Sequence, residues 1–210
     1  MRGAIFDVDG TLLDSMSIWT EITGRIFAKR NLTLDDGCIK RIQDMTVYDS
    51  CRYLINAYNM SETVEMLMED AQKEAEKEYL HNIPLKEYAK EYLTKLHNEG
   101  VKLAVATSGF PELCTAALER CGVWKFFSGA AYSSEVGKDK SNPDIYLLAA
   151  RRIGVEPRDC VVFEDILPGI YGAEKAGMQT VAVYDRTNTH ITDELKKHAG
   201  RYIMSWKELL

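Results

Sequence analysis

The stretch Ile5-Phe6-Asp7-Val8-Asp9-Gly10-Thr11 carries the strongest structural and chemical signal in this 210-residue chain. Asp7 and Asp9 follow a short apolar run, residues 4–6, that predicts a buried β-strand. Residues two apart in an extended chain point to the same side, so the two carboxylates should converge where the strand leaves the core. Carboxylates that close repel each other unless a cation or a shared proton is present. The spacing therefore predicts a metal site at the end of the first strand.

The same stretch has two other interpretations. An acidic turn after a strand is the simpler one, because Asp and Gly favour turns, and this segment alone leaves it open. A calcium loop of the EF-hand type needs Gly at its sixth position and Glu at its twelfth. Counted from Asp7, those positions hold Leu12 and Ile18, which excludes the calcium loop.

Composition and charge narrow the class of protein. Hydrophobic residues make up 46% of the chain and charged residues 28%, as in ordinary globular proteins. A net charge of −6 disfavours nucleic acid and anionic membranes as partners. No apolar run approaches the ~20 residues of a membrane span, and the first residues lack a signal-peptide pattern, so a cytoplasmic location is expected. Five scattered cysteines without a Cys-x-x-Cys pair argue against a disulfide framework or a zinc site.

From about residue 84 onward, strand-like and helix-like segments alternate. Such alternation predicts an α/β fold, a Rossmann-like parallel sheet with helices on both faces. The strands are predicted after residue 84 at 101–107, 130–132, 160–164 and 180–184, and the helices at 85–98, 111–121, 144–153 and 169–176.

The segment between the first strand and this alternating part has a different pattern. Residues 15–83 contain no convincing strand, and apolar stripes at helical spacing run through residues 61–81 and from Trp19 to Phe27. We therefore expect an α/β core domain, 1–14 and 84–210, interrupted by a helical insert, 15–83.

Three further groups follow predicted strands or begin a helix. Thr107 and Ser108 precede Gly109, where hydroxyls and backbone amides suit a phosphate, although they could equally cap the next helix. Glu164 and Asp165 end another strand and offer oxygen ligands to a hard cation, or form a charged turn.

A lysine before the next predicted helix is the third group. Lys140 precedes Pro143-Asp144 and could neutralise a phosphate, against the ordinary alternative of a solvated lysine; Lys138 is a nearby competitor.

Taken in order, these motifs resemble those of the haloacid dehalogenase-like phosphohydrolases over essentially the whole chain. The matching positions are Asp7-Val8-Asp9-Gly10-Thr11, Thr107, Lys140, and Glu164-Asp165 followed by Pro168-Gly169-Ile170 and by Ala173, Ala176 and Gly177. The insert after the first motif is similar to the helical cap of the subgroup that contains β-phosphoglucomutases and phosphoglycolate phosphatases.

The resemblance implies a mechanism. Asp7 would attack phosphorus and form an aspartyl-phosphate, and Asp9 would act as general acid and base. Mg²⁺ is the implied cofactor. Its implied ligands are Asp7, the backbone carbonyl of Asp9, Glu164 and Asp165, and the implied phosphate-binding residues are Thr107, Ser108 and Lys140.

Two positions depart from the pattern of relatives. Many have Lys-Pro at the third motif, whereas Ser141 follows Lys140 here. β-Phosphoglucomutases place an arginine in a short cap segment to hold a second phosphate, and Val47 occupies that position in this chain. Trp19, Tyr48 and Arg52 are the candidates for substrate selection in the cap, with the alternative that the aromatic residues are cap core.

The sequence thus predicts a Mg²⁺-dependent phosphatase for a small phosphorylated metabolite, a sugar phosphate or similar phosphomonoester. A sugar phosphomutase and a non-catalytic regulatory or binding protein on the same scaffold remain alternatives. No nucleic acid or membrane partner is expected. The oligomeric state is left open, and a monomer is compatible with the sequence.

Overall fold

The computed structural model describes residues 1–42 and 45–210. Its strands are β1 Gly3–Phe6, β2 Lys102–Thr107, β3 Phe127–Tyr132, β4 Cys160–Glu164, β5 Gln179–Val183 and β6 Arg201–Ile203. Its α-helices are α1 Met16–Lys29, α2 Asp36–Ile42, α3 Val47–Ala57, α4 Val64–His81, α5 Ala89–Asn98, α6 Pro111–Arg120, α7 Ser133–Val136, α8 Asp144–Ile153, α9 Leu167–Lys175 and α10 Thr192–His198.

The six strands form one parallel sheet in the order β3-β2-β1-β4-β5-β6, which confirms the predicted fold class. β1 is fully buried at the centre, and its neighbours on the two sides are β2 and β4. The chain fills one side of the sheet before it crosses to the other, so β1 lies at the topological switch point. Open α/β sheets bind ligands outside the carboxyl ends of the strands at such a point. Register places Phe6 level with Val105 and Phe163, which brings the ends of these three strands together.

Local sequence signals set most of the element boundaries. The helix predicted at 144–153 and the strand predicted at 160–164 have those bounds in the structure, and Gly154 ends α8 at a left-handed φ of 67°. The helix predicted to begin at residue 85 begins instead at Ala89. Leu85 is held in a β-bridge to Leu13, and Tyr88 has a φ of 65°, so the helix cannot extend back through them.

The start and the end of the segment between β1 and α5 lie side by side. Asp14 N donates to Pro84 O at 3.0 Å, and Lys86 N donates to Leu12 O at 2.8 Å. The helix α4 of that segment packs against α1 and α3 of the same segment and against α6 of the α/β part. The two predicted apolar stripes meet there, since Ile22, Leu67 and Ala75 are almost fully buried. Residues 43 and 44 of the predicted 15–83 insert lie outside the described ranges.

No helix in the described residues is both long enough and apolar enough to cross a membrane.

Candidate active site

The loop after β1 turns sharply because of its glycine. Asp7 leaves the strand with its backbone N–H still donating to Phe163 O at 3.0 Å. Leu12 N and Leu13 N then both donate to Val8 O, at 2.9 and 2.8 Å, which closes a tight turn. Gly10 adopts a φ of 81°, and a Cβ atom there would collide with the Asp165 carboxylate. The side chains of Asp7 and Asp9 therefore line the same cavity at the carboxyl end of the sheet.

Three acidic side chains converge beside this loop. Asp7, Glu164 and Asp165 each place one carboxylate oxygen within 4.8 Å of the others, and all three are buried. Lys140 is buried as well, and its Nζ pairs with Asp7 Oδ1 and Glu164 Oε1. Burial lowers the pKa of Lys140, but the Asp7 and Glu164 carboxylates outweigh burial and raise it overall. Lys140 is thus a charged member of the cluster, whereas Lys138 is exposed and pairs with Asp144 at 2.9 Å.

Glu164 ends β4, and its carboxylate lies between the helices before and after that strand, α8 and α9. The Tyr146 hydroxyl donates to Glu164 Oε1 at 2.8 Å, while Oε2 is buried and has no hydrogen-bond partner among the described residues. Gly169, in the first turn of α9, leaves room for this carboxylate, because a Cβ atom there would overlap it. Burial raises the pKa of Glu164 to about 7, against the effect of Lys140.

Asp165 is fixed by two side chains that the sequence pattern did not indicate. Thr11 Oγ1 donates to Oδ1 at 3.1 Å, and Asn188 Nδ2 donates to Oδ2 at 2.8 Å. Burial, followed by repulsion from Asp7 and Glu164, raises the pKa of Asp165 well above its usual value. The cluster therefore holds more negative charge than Lys140 neutralises. Its all-oxygen donor set and the unpartnered Glu164 Oε2 fit a hard divalent cation.

Asp9 contacts both the core and the insert. Ser15 Oγ donates to Asp9 Oδ1 at 2.6 Å, and the Tyr79 hydroxyl donates to the same oxygen. Tyr79 lies near the end of α4, is 1% exposed, and accepts a hydrogen bond from Trp19 Nε1 at 2.8 Å. Burial raises the pKa of Asp9, although the bonds from Ser15 and Tyr79 oppose it. A carboxyl group with a raised pKa suits a proton donor near neutral pH.

The hydroxyls at the end of β2 face the cavity. Thr107 Oγ1 accepts a bond from Gly109 N at 3.1 Å, which leaves its own hydrogen available to an anion. Ser108 Oγ lies 2.7 Å from Ser133 Oγ. Thr107 and Ser108 do not cap α6. The N-cap residue of that helix is Phe110, whose side chain makes no capping hydrogen bond.

A cavity of about 160 Å³ extends from these residues into the insert. Trp19 and Val47 line it. Tyr48 is 46% exposed, and Arg52 pairs with Asp49 at 2.8 Å; neither lines the cavity. The reason is helical spacing, since the cavity-facing side of α3 carries positions 47, 50, 51 and 54 and leaves 48 and 52 on the opposite side. Of the three predicted selection residues, the structure brings only Trp19 to the cavity.

The supporting residues were not identified from the sequence. The sequence places Tyr79 only within the apolar stripe of residues 61–81. A buried helix face does not show which of its residues carries a hydroxyl toward a distant carboxylate. The remaining ones are Thr11, Ser15, Tyr146 and Asn188. Thr11 belongs to the first motif and Ser15 follows it by four residues, so their position in the sequence was a signal. Asn188 offered none, since it follows Asp165 by 23 residues.

Known proteins share this sequence pattern and fold. Residues 4–183 match the family model described as haloacid dehalogenase-like hydrolase. The chain is 26% identical over 181 residues to the phosphorylated carbohydrates phosphatase of Thermotoga maritima, covering 86% of this chain and 84% of that protein. It is 31% identical over 210 residues to the protein named probable pseudouridine-5'-phosphatase of Drosophila melanogaster, covering 96% and 88% of the two chains.

Among solved structures, the CbbY protein of Rhodobacter sphaeroides in complex with phosphate has a similar fold. Its TM-score is 0.86 at 23% identity, and the match covers 100% of this chain and 96% of that one. At 23% identity, this structural similarity supports a shared fold and nothing further.

Proposed function

Because the chain belongs to the haloacid dehalogenase-like hydrolase family and is one of its phosphoric monoester hydrolases, we propose a specific reaction. The protein is a Mg²⁺-dependent phosphatase of small phosphorylated metabolites that works through an aspartyl-phosphate on Asp7. The observation that carries the proposal is the contact of Lys140 Nζ with Asp7 Oδ1, inside a buried cluster that also holds Glu164 and Asp165.

Asp7 is the nucleophile. Lys140 fixes Oδ1, and Oδ2 accepts no hydrogen bond among the described residues. Oδ2 attacks phosphorus, the bond from phosphorus to the ester oxygen breaks, and Asp7 carries the phosphoryl group. Covalent catalysis of this kind divides one difficult displacement into two easier ones.

Asp9 moves the protons. In the first step its carboxyl gives a proton to the leaving alcohol oxygen. In the second step its carboxylate takes a proton from the water that attacks phosphorus, the acyl-phosphate bond breaks, and Asp7 is restored as inorganic phosphate leaves. A positioned acid and base of this kind typically contributes about 10²–10⁴-fold to the rate.

The phosphoryl oxygens are bound by the groups around them. Thr107 and Ser108 offer hydroxyls from the end of β2, and Lys140 offers the positive charge. Asp7, Glu164, Asp165 and the backbone carbonyl of Asp9 would hold Mg²⁺. When bound, the ion offsets the negative charge of the cluster and of the transferring phosphoryl group.

Residues 15–83 act as the cap domain on the core formed by 1–14 and 84–210. Tyr79 and Trp19 bring this segment to Asp9, so the proton carrier lies at the junction of cap and core. A cap in this position excludes bulk water from the phosphoryl group. Val47 at the cavity wall leaves a second phosphate without a bidentate arginine partner there, which favours hydrolysis over a mutase reaction.

Phosphate release from a panel of phosphorylated sugars, nucleotides and short acids tests the proposal. We expect turnover of at least one ester with Mg²⁺, none with chelator, and a loss of about 10⁴-fold or more in Asp7→Asn. Acid quenching during turnover should trap a phosphorylated protein in the wild type and not in the variant. Absence of phosphate release from every ester, with wild type and Asp7→Asn alike, would overturn the proposal.

A further inference from the structure

The cavity has two chemically different walls. The core wall is charged, with Asp7, Asp9, Asp139, Lys140 and Asp165 facing the space. The wall that α1, α2, α3 and α4 contribute carries no charged side chain among the described residues. Its apolar members include Trp19 and Ile26 on α1, Val47 and Leu54 on α3, and Leu67 and Ala71 on α4.

The few hydroxyls on the insert wall are mostly engaged by the protein itself. Thr23 Oγ1 donates to Trp19 O at 2.8 Å, Thr46 Oγ1 donates to Asp49 Oδ2 at 2.8 Å, and Ser50 Oγ donates to Ile42 O at 3.3 Å. A ligand hydroxyl that enters this region would give up its bonds to water and find few protein donors in return. Burying a polar group without a replacement bond is unfavourable.

Positive charge for a second anionic group is also lacking on this side. Lys140 is the one cation among the described lining residues, and it is already paired with Asp7 and Glu164. The basic residues of α1 pair with acids away from the cavity, such as Arg25 with Glu74 and Glu78. A carboxylate or a second phosphate on the leaving group would therefore be buried without a partner.

We infer that the substrate is the monophosphate ester of an uncharged, mainly apolar alcohol, an inference that rests on the proposed function. The phosphoryl group lies against the core wall, and the alcohol fills the apolar end between α1, α3 and α4. The whole cavity, including its phosphoryl end, measures about 160 Å³, and an apolar protein cavity of about 150 Å³ accommodates benzene. The leaving group is therefore compact, at most one six-membered ring or a short branched chain. Asp9 donates the proton, and the products are the free alcohol and inorganic phosphate.

A matched pair of esters tests this inference. Cyclohexylmethyl phosphate and glucose 6-phosphate both present a primary alcohol on a six-membered ring, and they differ in the ring oxygen and hydroxyls. We expect kcat/KM to be at least about 30-fold higher for cyclohexylmethyl phosphate, because the glucose hydroxyls would be buried without replacement bonds. A ratio of about 30-fold corresponds to about 2 kcal/mol, which is within the cost of burying such groups unpaired. Phosphoglycolate, with its carboxylate, should be hydrolysed more slowly than either.

The outcomes separate the two claims. Equal or higher kcat/KM for glucose 6-phosphate or phosphoglycolate would overturn the inference and leave the phosphatase proposal standing. Absence of hydrolysis of every ester in Mg²⁺ would overturn both.

A cavity-filling variant locates the alcohol site. Ala71 lines the cavity from α4, so Ala71→Leu should lower kcat/KM for cyclohexylmethyl phosphate by about tenfold relative to methyl phosphate. Lys77→Leu adds the same side chain on the exposed face of α4 and should leave the ratio unchanged.

Val47→Arg is a second test in case Ala71→Leu does not fold. Val47 is half-buried at the first turn of α3, so this position should tolerate a larger side chain. It should raise kcat/KM for phosphoglycolate relative to cyclohexylmethyl phosphate. An unchanged ratio in the folded variants would place the alcohol elsewhere and overturn the inference.

Discussion

The core wall and the insert wall of the cavity are built in opposite ways. On the core wall, buried charges hold one another in place, as Lys140 does between Asp7 and Glu164. On the insert wall, apolar side chains from separate helices line the cavity together, such as Ile26 of α1 and Leu67 of α4. The contrast teaches that reactivity and selectivity reside in different parts of the molecule. Changes to the core wall should alter the rate for all esters, and changes to the insert wall should alter the choice among them.

The largest expected effect is on the core wall. Asp9→Asn removes the proton carrier, and we expect kcat to fall by about 10²–10⁴-fold for every ester alike. Mg²⁺ affinity, measured by calorimetry, should change little, because only the backbone carbonyl of Asp9 is proposed to bind the ion. A fully active variant would show that Asp9 does not move the proton.

Tyr79→Phe tests a hydrogen bond between the insert and the core wall. The variant removes the hydroxyl that donates to Asp9 Oδ1 and accepts from Trp19 Nε1. We expect kcat to fall about tenfold with KM unchanged, because a bond that orients a charged group is worth roughly 1.4 kcal/mol or more.

Tyr58→Phe is the matched control for Tyr79→Phe. It removes a hydroxyl that donates to Asp35 Oδ2 at 2.8 Å within the insert, and it should leave kcat unchanged. A rise in KM without a loss of kcat in Tyr79→Phe would instead indicate a role in substrate binding.

The charge of the core wall predicts how stability depends on pH without metal. Because burial raises the pKa of Glu164 from 4.5 to about 7, the folded state binds more protons than the unfolded state between these values. The free energy of unfolding should therefore fall as pH rises through this window. Urea unfolding in chelator at pH 5 and pH 7 measures the slope, which should be shallower in Glu164→Gln. Equal slopes in the two proteins would contradict the assignment.

The smallest effect is expected on the outer surface of the insert. Arg30→Met breaks the pairs with Glu62 and Asp70, and we expect a loss of about 1 kcal/mol in the free energy of unfolding with kcat unchanged. Lys73→Met, which breaks an exposed pair with Glu69, should cost less. A large loss of activity in Arg30→Met would mean that changes on the outside of the insert affect the core wall. The two walls would then not control rate and selectivity independently.

The sequence predicts the core wall well because its residues are local to strand ends. Asp7, Thr107 and Glu164 each stand at the carboxyl end of a strand, and parallel strands in register bring those ends together. Lys140 was identified by its distance from a helix start, although its burial could not be predicted. The positions of the motifs along the chain therefore predict most of the residues of that wall.

The insert wall could not be predicted in the same way. Helical periodicity predicts buried faces on α1 and α4, but it does not show whether a face meets another helix or a cavity. Tyr48 and Arg52 were therefore candidates that the structure places on the outside of α3. The strand β6 could not be predicted either, because its three residues are too short for a recognisable strand pattern.

The hydrogen bond between Asp14 N and Pro84 O has a consequence for how such a protein can change. Because the insert leaves and returns at one place on the backbone, its removal would leave a gap that a tight turn could close, without moving any strand. A segment attached in this way is modular: it can be exchanged between relatives, lengthened or shortened while the sheet keeps its register. Exchange of one contiguous gene segment could therefore change the substrate, provided that the new segment keeps donors to Asp9 such as Tyr79.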